Sequence, residues 1–221
     1  GRDIKTTIFS SFAVSARLGG QAIVVAVIIG VVLGSIAALN RNGFLDRLII
    51  FLSTLFTSLP SFVFATLLLL AFCIKLQWIP SWSPESPNYI LPVIALSASP
   101  MAYITRLTKT SMLDALGQDY VRTAKAKGVA RWKIIFKHAL RNACIPVVTS
   151  LGPLIAGILT GSFVVEKVFA INGVGKYFVN SITARDYPVI MGTTIFYAVL
   201  LIGCNYLVDL AYGVIDPRIK M

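Results

Sequence analysis

One histidine, His138, and three cysteines, Cys73, Cys144 and Cys204, are the residues on which metal or nucleophilic chemistry would have to rest. Each cysteine lies in or at the edge of a different apolar block, and no C-x-x-C pair occurs. A single histidine supports neither a zinc site of ordinary spacing nor a Ser/His/Asp or Cys/His set. The thiols therefore read as buried, no metal ligand is expected, and an intramembrane hydrolase is disfavoured. "AINGVGKY" places Gly175 before Lys176, as a phosphate-binding loop would. That loop requires G-x-x-x-x-G-K-[ST], and the two remaining positions fall on Ala170 and Tyr177. Nucleotide binding here is excluded. Two carboxylates stand out, Asp209 inside an apolar block and Glu166 at the outer end of another. A carboxylate in a bilayer is costly and often functional. Asp209 admits both a structural pairing and a functional role. Glu166, with Arg185 and Asp186, is expected to shape an outer loop.

The elements that would position these residues are membrane spans. Of 221 residues 57% are hydrophobic and 13% charged, with a mean hydropathy of +0.81. Soluble domains carry about a quarter charged residues. The formal charge of +11 suits basic loops beside anionic lipid better than nucleic-acid binding, because it is set among long apolar runs. Five blocks approach the roughly 20 residues a span needs: about 18–39, 48–76 (with Pro60), 89–105 (with Pro92 and Pro100), 143–165 (with Pro146 and Pro153) and 190–212. Prolines are tolerated in such helices and kink them. Gly30–Gly34 and Gly157–Gly161 match Gly-x-x-x-Gly, a spacing that permits close helix contact. The connections after spans one and three, with the C-terminal tail, hold thirteen of the 20 Lys and Arg; the other side holds seven. The first side is then cytoplasmic. The chain opens "GRDIKTTIFSS" on the outer side without an apolar leader, so an earlier span is expected to precede it.

The largest basic run is "TAKAKGVARWKIIFKHALRNA", residues 123–143, with six Lys or Arg and no acid. "DYVRTAKAKG" predicts a short helix with Asp119 as cap and Gly128 ending it in a left-handed turn. Trp132, Ile135, Phe136, Ala139, Leu140 and Ala143 then recur at helical period, with Lys133, Lys137 and Arg141 opposite and Ile134 as the apolar exception. A helix lying on anionic headgroups explains the second part. The small-residue elbow before it suits a protein that approaches closely.

"RTAKAKG" followed by "HALRNACIP" resembles the cytoplasmic EAA loop of ATP-binding-cassette (ABC) importer permeases, in the oligopeptide/dipeptide branch that also holds nickel and glutathione importers. "SARLGG", "SLPSFV", "ITRLTKTSMLDALGQDYVRTAKAKG", "GSFVVEKVFAINGVGKYFVNSITARDYPV" and "VIDPRI" carry the resemblance along almost the whole chain, closer to the first membrane subunit of that branch than to the second. The general Glu-Ala-Ala falls on Arg122-Thr123-Ala124, with Gly128 in place, and the closing Leu-Pro falls on Leu140-Arg141.

The resemblance implies an all-α membrane protein, a type I ABC importer permease (MetI-like) bundle with five transmembrane helices here out of the family's six. It implies one domain over residues 1–221, a coupling segment over 106–142 and an outer loop over 166–189. Arg122, Thr123, Ala124, Lys125, Ala126, Lys127, Gly128 and Val129 would dock on a cytoplasmic ATPase. The expected partners are two such ATPases carrying ATP and Mg, a second permease forming a heterodimer, the bilayer of a prokaryotic cytoplasmic membrane, and an extracytoplasmic substrate-binding protein met near Glu166, Arg185 and Asp186. The chain itself would hold no cofactor. A peptide backbone needs hydrogen-bonding groups without side-chain selectivity, so Ser58, Ser61, Ser97, Ser99, Thr149, Ser150, Thr160 and Ser162 are candidates for the path. Nickel or glutathione import is the alternative within the branch. A channel or anchor uncoupled from ATP is the alternative outside it, and the elbow argues against that one.

Overall fold

The computed structural model describes residues 4–215. Among them every regular element is helical. Helix α1 (Ile4–Leu39) runs unbroken for 36 residues, about 54 Å at about 1.5 Å per residue. It thus begins well before the expected start at residue 18. Helix α2 (Phe44–Ser58) stops at Leu59–Pro60, and α3 (Ser61–Leu68) continues in π-helical turns to Lys75. Proline lacks an N–H and forces the residue before it toward extended backbone, so the second block is a broken pair, not one kinked helix. Helix α4 (Ile90–Gly117) carries Pro100 inside it and extends twelve residues past the expected end at Thr105. Arg106 and Lys109 therefore lie on a helix, not in a loop. Helix α5 (Asp119–Ala126) follows, then α6 (Arg131–Lys133), π turns over Ile134–Leu140, and α7 (Arg141–Val168). Helices α8 (Val174–Ala184) and α9 (Tyr187–Ile215) complete the order. Four helical stretches among the described residues are long and apolar enough to cross a membrane, and the α2–α3 pair, bent by 103° at its break, makes a fifth if it counts as one span. Arg218, Lys220 and most of "VIDPRI" lie outside the described residues.

Two compact units divide the chain. One is built from residues 25–58 and 99–151. In it α1 and α4 touch at Gly30 and Gly34. A Cβ on Gly30 would sit 2.8 Å from Ile104 Cβ, and one on Gly34 would sit 2.5 Å from the Thr105 carbonyl oxygen. The first Gly-x-x-x-Gly match is a true helix contact. Below it Ala38, Met112, Ala115, Ala139 and Ala143 form a core of small side chains, with Leu113, Leu116, Ile135 and Leu140 against it. The Lys109 ammonium lies 2.6 Å from Asp46 Oδ1, and Asp46 Oδ2 accepts the Asn42 N–H at 3.0 Å. That pair, with Asp46 buried and Lys109 half-buried, binds the α1–α2 turn to α4.

The other unit is built from residues 1–24, 59–98 and 152–221. Leu18 and Ala22 of α1 are fully buried in it, and a Cβ on Gly19 would meet Leu159 Cδ2 at 3.0 Å. Phe163 packs on Tyr197 and Phe178, with ring centroids 4.5 and 5.2 Å apart. Phe12 meets Phe196 edge-on. The Arg17 guanidinium lies over the Tyr89 ring, 5.1 Å from its centroid, a favourable cation–π arrangement. A Cβ on Gly157 would meet nothing within 4 Å among the described residues. Val199, Ile202 and Leu207 of α9 are exposed apolar residues, as a lipid-facing or subunit-facing helix requires.

Candidate functional site

The elbow is closed by hydrogen bonds that only a left-handed residue allows. Gly128 has φ +74. Its N–H donates to the Lys125 carbonyl at 3.0 Å, and the Val129 N–H donates to the Ala124 carbonyl at 3.1 Å. This is a complete Schellman ending, which satisfies carbonyls that the end of α5 would leave unpaired. The cap at the other end differs from expectation. Gln118 occupies the cap position without a side-chain bond, and Asp119 sits in the first turn, where its charge complements the helix dipole. Its carboxylate is 3.5 Å from Arg122, with both side chains exposed.

Within the elbow the expected docking residues divide. Arg122, Thr123, Lys125, Ala126, Lys127 and Gly128 are exposed, and Val129 is half-buried. Ala124 is buried against Val121 and Ile134, with Val129 packed beside them. Ala124 therefore offers no docking surface. Its small side chain lets α5 lie on the start of the next helix. Asn142 Nδ2 donates to the Tyr120 hydroxyl at 2.8 Å and ties the same two elements. A cavity of about 450 Å³ opens beside the elbow, with Ala38, Leu116 and Ile135 among its walls and Lys125 and Arg131 on its lining.

The helix after the elbow departs from the predicted stripe. Ile134, the apparent exception, is 3% exposed, whereas Trp132 and Phe136 are 61% and 63% exposed. The cause is the π segment at 134–140. A π turn bonds i to i+5, so Ile134 and Ala139 share the buried face and the α-helical offsets fail. Lys133, Lys137 and Arg141 are exposed as expected, with the Lys133 ammonium 5.5 Å from the Trp132 ring centroid. The segment continues directly into α7.

In the other unit, α7 ends in a second Schellman pattern. The Ile171 N–H donates to the Glu166 carbonyl at 2.8 Å and the Ala170 N–H to the Lys167 carbonyl at 3.2 Å, with Ala170 at φ +57. Glu166 has no exposed surface. Its Oε2 accepts the Gly175 N–H at 2.9 Å, and its Oε1 accepts the Ser162 hydroxyl at 2.9 Å. The Val174 N–H donates to Ser15 Oγ of α1 at 3.0 Å. Of the two roles expected of Glu166, shaping the outer loop or meeting an outer protein, its burial favours the first. Arg185 and Asp186 are exposed, and Arg185 closes α8 at φ +55.

Residues 30–221 match the family described as binding-protein-dependent transport system inner membrane component. The chain belongs to that family. The permease is 60% identical to the dipeptide transport system permease protein DppB of Bacillus subtilis (strain 168), over 95% of this chain and 68% of the relative. It is 42% identical to the oligopeptide transport system permease protein OppB of Escherichia coli (strain K12), over 98% and 72% respectively. Its fold is that of a chain from inward-facing conformations of the MetNI methionine ABC transporter, with TM-score 0.75, 15% identity and full coverage of both chains. An amino acid ABC transporter crystallised with histidines gives a TM-score of 0.74 at 15% identity, over 93% and 92%.

The candidate path residues of this permease also divide. Ser58 and Ser61, on either side of the Pro60 break, are exposed, as is Ser99. Thr149 and Ser150 are half-buried and donate to the Pro146 and Val147 carbonyls at 2.7 and 2.8 Å. Ser97 and Ser162 are buried, and their hydroxyls reach the Ile94 carbonyl at 3.2 Å and the Leu159 carbonyl at 3.1 Å. Those two hydroxyls bond within their own helices. The side chains of Thr160 and Asp209 lie outside the described residues.

Proposed function

We propose that this permease carries peptides inward across the cytoplasmic membrane as the non-catalytic subunit of an ATP-driven importer. One observation carries the reading: identity of 60% across 95% of the chain to a relative named for dipeptide transport, with kinship at 42% to one named for oligopeptides. In this reading α5 and its Gly128 turn seat on a cytoplasmic ATPase, one for each permease of a heterodimer. ATP and Mg reside on those ATPases. A substrate-binding protein delivers cargo on the side of residues 166–189. Closure of the ATPases moves the elbow, and the permease pair exchanges inward for outward access.

The elbow geometry supports such a joint. Its exposed face is small and basic, and its inner face is anchored through Val121, Ala124 and Ile134, so force on α5 is passed to the helix that becomes α7. The test is uptake into liposomes holding the assembled transporter with ATP inside the ATPase compartment. Labelled di- and oligopeptides should accumulate only with binding protein and ATP. Uptake of nickel or glutathione without peptide uptake would move the chain to another member of the branch. Peptide flux independent of ATP would overturn the importer reading.

A further inference from the structure

A helix begins with backbone N–H groups that have no partner in the helix. A cap residue usually satisfies them from its own side chain. In α8 the cap position is Gly173, which has no side chain to use. The first two N–H groups are instead satisfied from outside the helix: Val174 by Ser15 Oγ of α1 and Gly175 by Glu166 Oε2 of α7. The glycines make room for this. A Cβ on Gly173 would run into the Glu166 carboxylate and the Ser15 hydroxyl. A Cβ on Gly175 would lie 2.8 Å from Glu166 Oε2 and 2.5 Å from Phe163 Cα.

A local cap would hold only the helix. A borrowed cap also fixes where the helix sits, because its acceptors belong to two other helices. The carboxylate has donors as partners, a hydroxyl and an N–H, and it faces the positive end of the α8 dipole, where negative charge is favoured. Phe169, Ile171 and Val174, which flank the node in sequence, are buried, so the whole connection between α7 and α8 is seated by it.

We infer that Glu166 is a positioning residue for substrate delivery: with Ser15 it holds α8 and the exposed Arg185–Asp186 turn in the arrangement that receives the loaded binding protein. This rests on the reading of residues 166–189 as the side facing that protein. The hydrogen bonds, not the charge, do the holding. In Glu166→Gln the amide oxygen takes the Gly175 N–H. The amide N–H donates to Ser162 Oγ, whose own proton turns to the Leu159 carbonyl already 3.1 Å away. Glu166→Ala keeps neither bond.

The experiment titrates peptide-loaded binding protein against the assembled transporter in liposomes and follows stimulated ATP hydrolysis, with amide exchange of Val174 and Gly175 measured on the same complexes. Glu166→Ala should raise the half-saturating binding-protein concentration at least tenfold, with the rate at saturation within twofold of the parent. Its two amides should exchange at least tenfold faster. Glu166→Gln should match the parent within twofold in both readouts, and Ser15→Ala should shift both in the same direction by less. Should the alanine variant fail to assemble, Ser15→Ala carries the test. Unchanged half-saturation, or a Gln variant as impaired as the Ala variant, would overturn the inference. Faster amide exchange in Glu166→Ala with a parent complex that binding protein does not stimulate would retain the latch and sink its assignment to delivery, together with the transport reading on which that assignment rests.

Discussion

At the scale of single residues, glycines separate contacts made within this chain from faces it leaves open. Gly34 leaves no room for a methyl group against Thr105 and Thr108, whereas Gly157 has space around it. Inserting atoms into a packed contact costs about 1–3 kcal/mol. Gly34→Leu should therefore lower the melting temperature of the detergent-solubilised subunit by several degrees, and Gly157→Ala should leave it within a degree. Equal shifts would contradict the packing described for α1 and α4. Ala170 supplies a complementary case, since it stands at φ +57 where a side chain costs about 1–2 kcal/mol. Ala170→Gly should not destabilise the subunit in the same melt, and a clear loss would mean that the methyl group packs more than it strains. The spacing Gly30–Gly34 was readable in the sequence as a contact motif, but nothing local showed that Ile104 and Thr105 of α4 would come to face it.

At the scale of elements, Gly128 is the joint's hinge point. A tryptophan there forfeits the left-handed turn and adds bulk to the face presented outward. Gly128→Trp should insert normally, yet binding-protein-stimulated ATP hydrolysis and peptide uptake should fall together by at least tenfold in liposomes. Lys133→Glu should change either by less than threefold, because its exposed ammonium lies over the Trp132 ring of its own helix. Normal stimulation in Gly128→Trp would remove α5 from the coupling path. The left-handed turn was legible because glycine after a short helix has one dominant use. The π turns were not, because no residue type marks them; they show in the burial of Ile134, which the α-helical period had set on the polar face. The Glu166 node was illegible for a different reason. Its Ser15 partner is 159 residues from Val174, and a sequence read along its length does not bring the two together.

At the scale of the molecule, the loop charges predict residues 76–89 and 169–186 outside the membrane and the elbow inside. A single cysteine at Ser86 or Thr183, both exposed, should react with an impermeant thiol reagent added outside intact cells. One at Gln118, also exposed, should react only after permeabilisation. Ser181 is unsuitable because it is buried. The reverse pattern would invert the topology.

The helix from Arg131 to Val168 has its own consequence for how the elbow is driven. A π segment is an α-helix with one residue too many, and that surplus is slack in a rod. Handing it along the helix would advance only the residues it passes, by about 1.5 Å and about 100°, without cutting the rod. Removing Lys137 takes the slack away. The helix then winds as plain α, and Ile134 turns out of its seat on Val121 and Ala124. The shortened protein should still insert and should lose coupled transport. Full coupling after that deletion would mean that the elbow does not depend on the register held at 134–140.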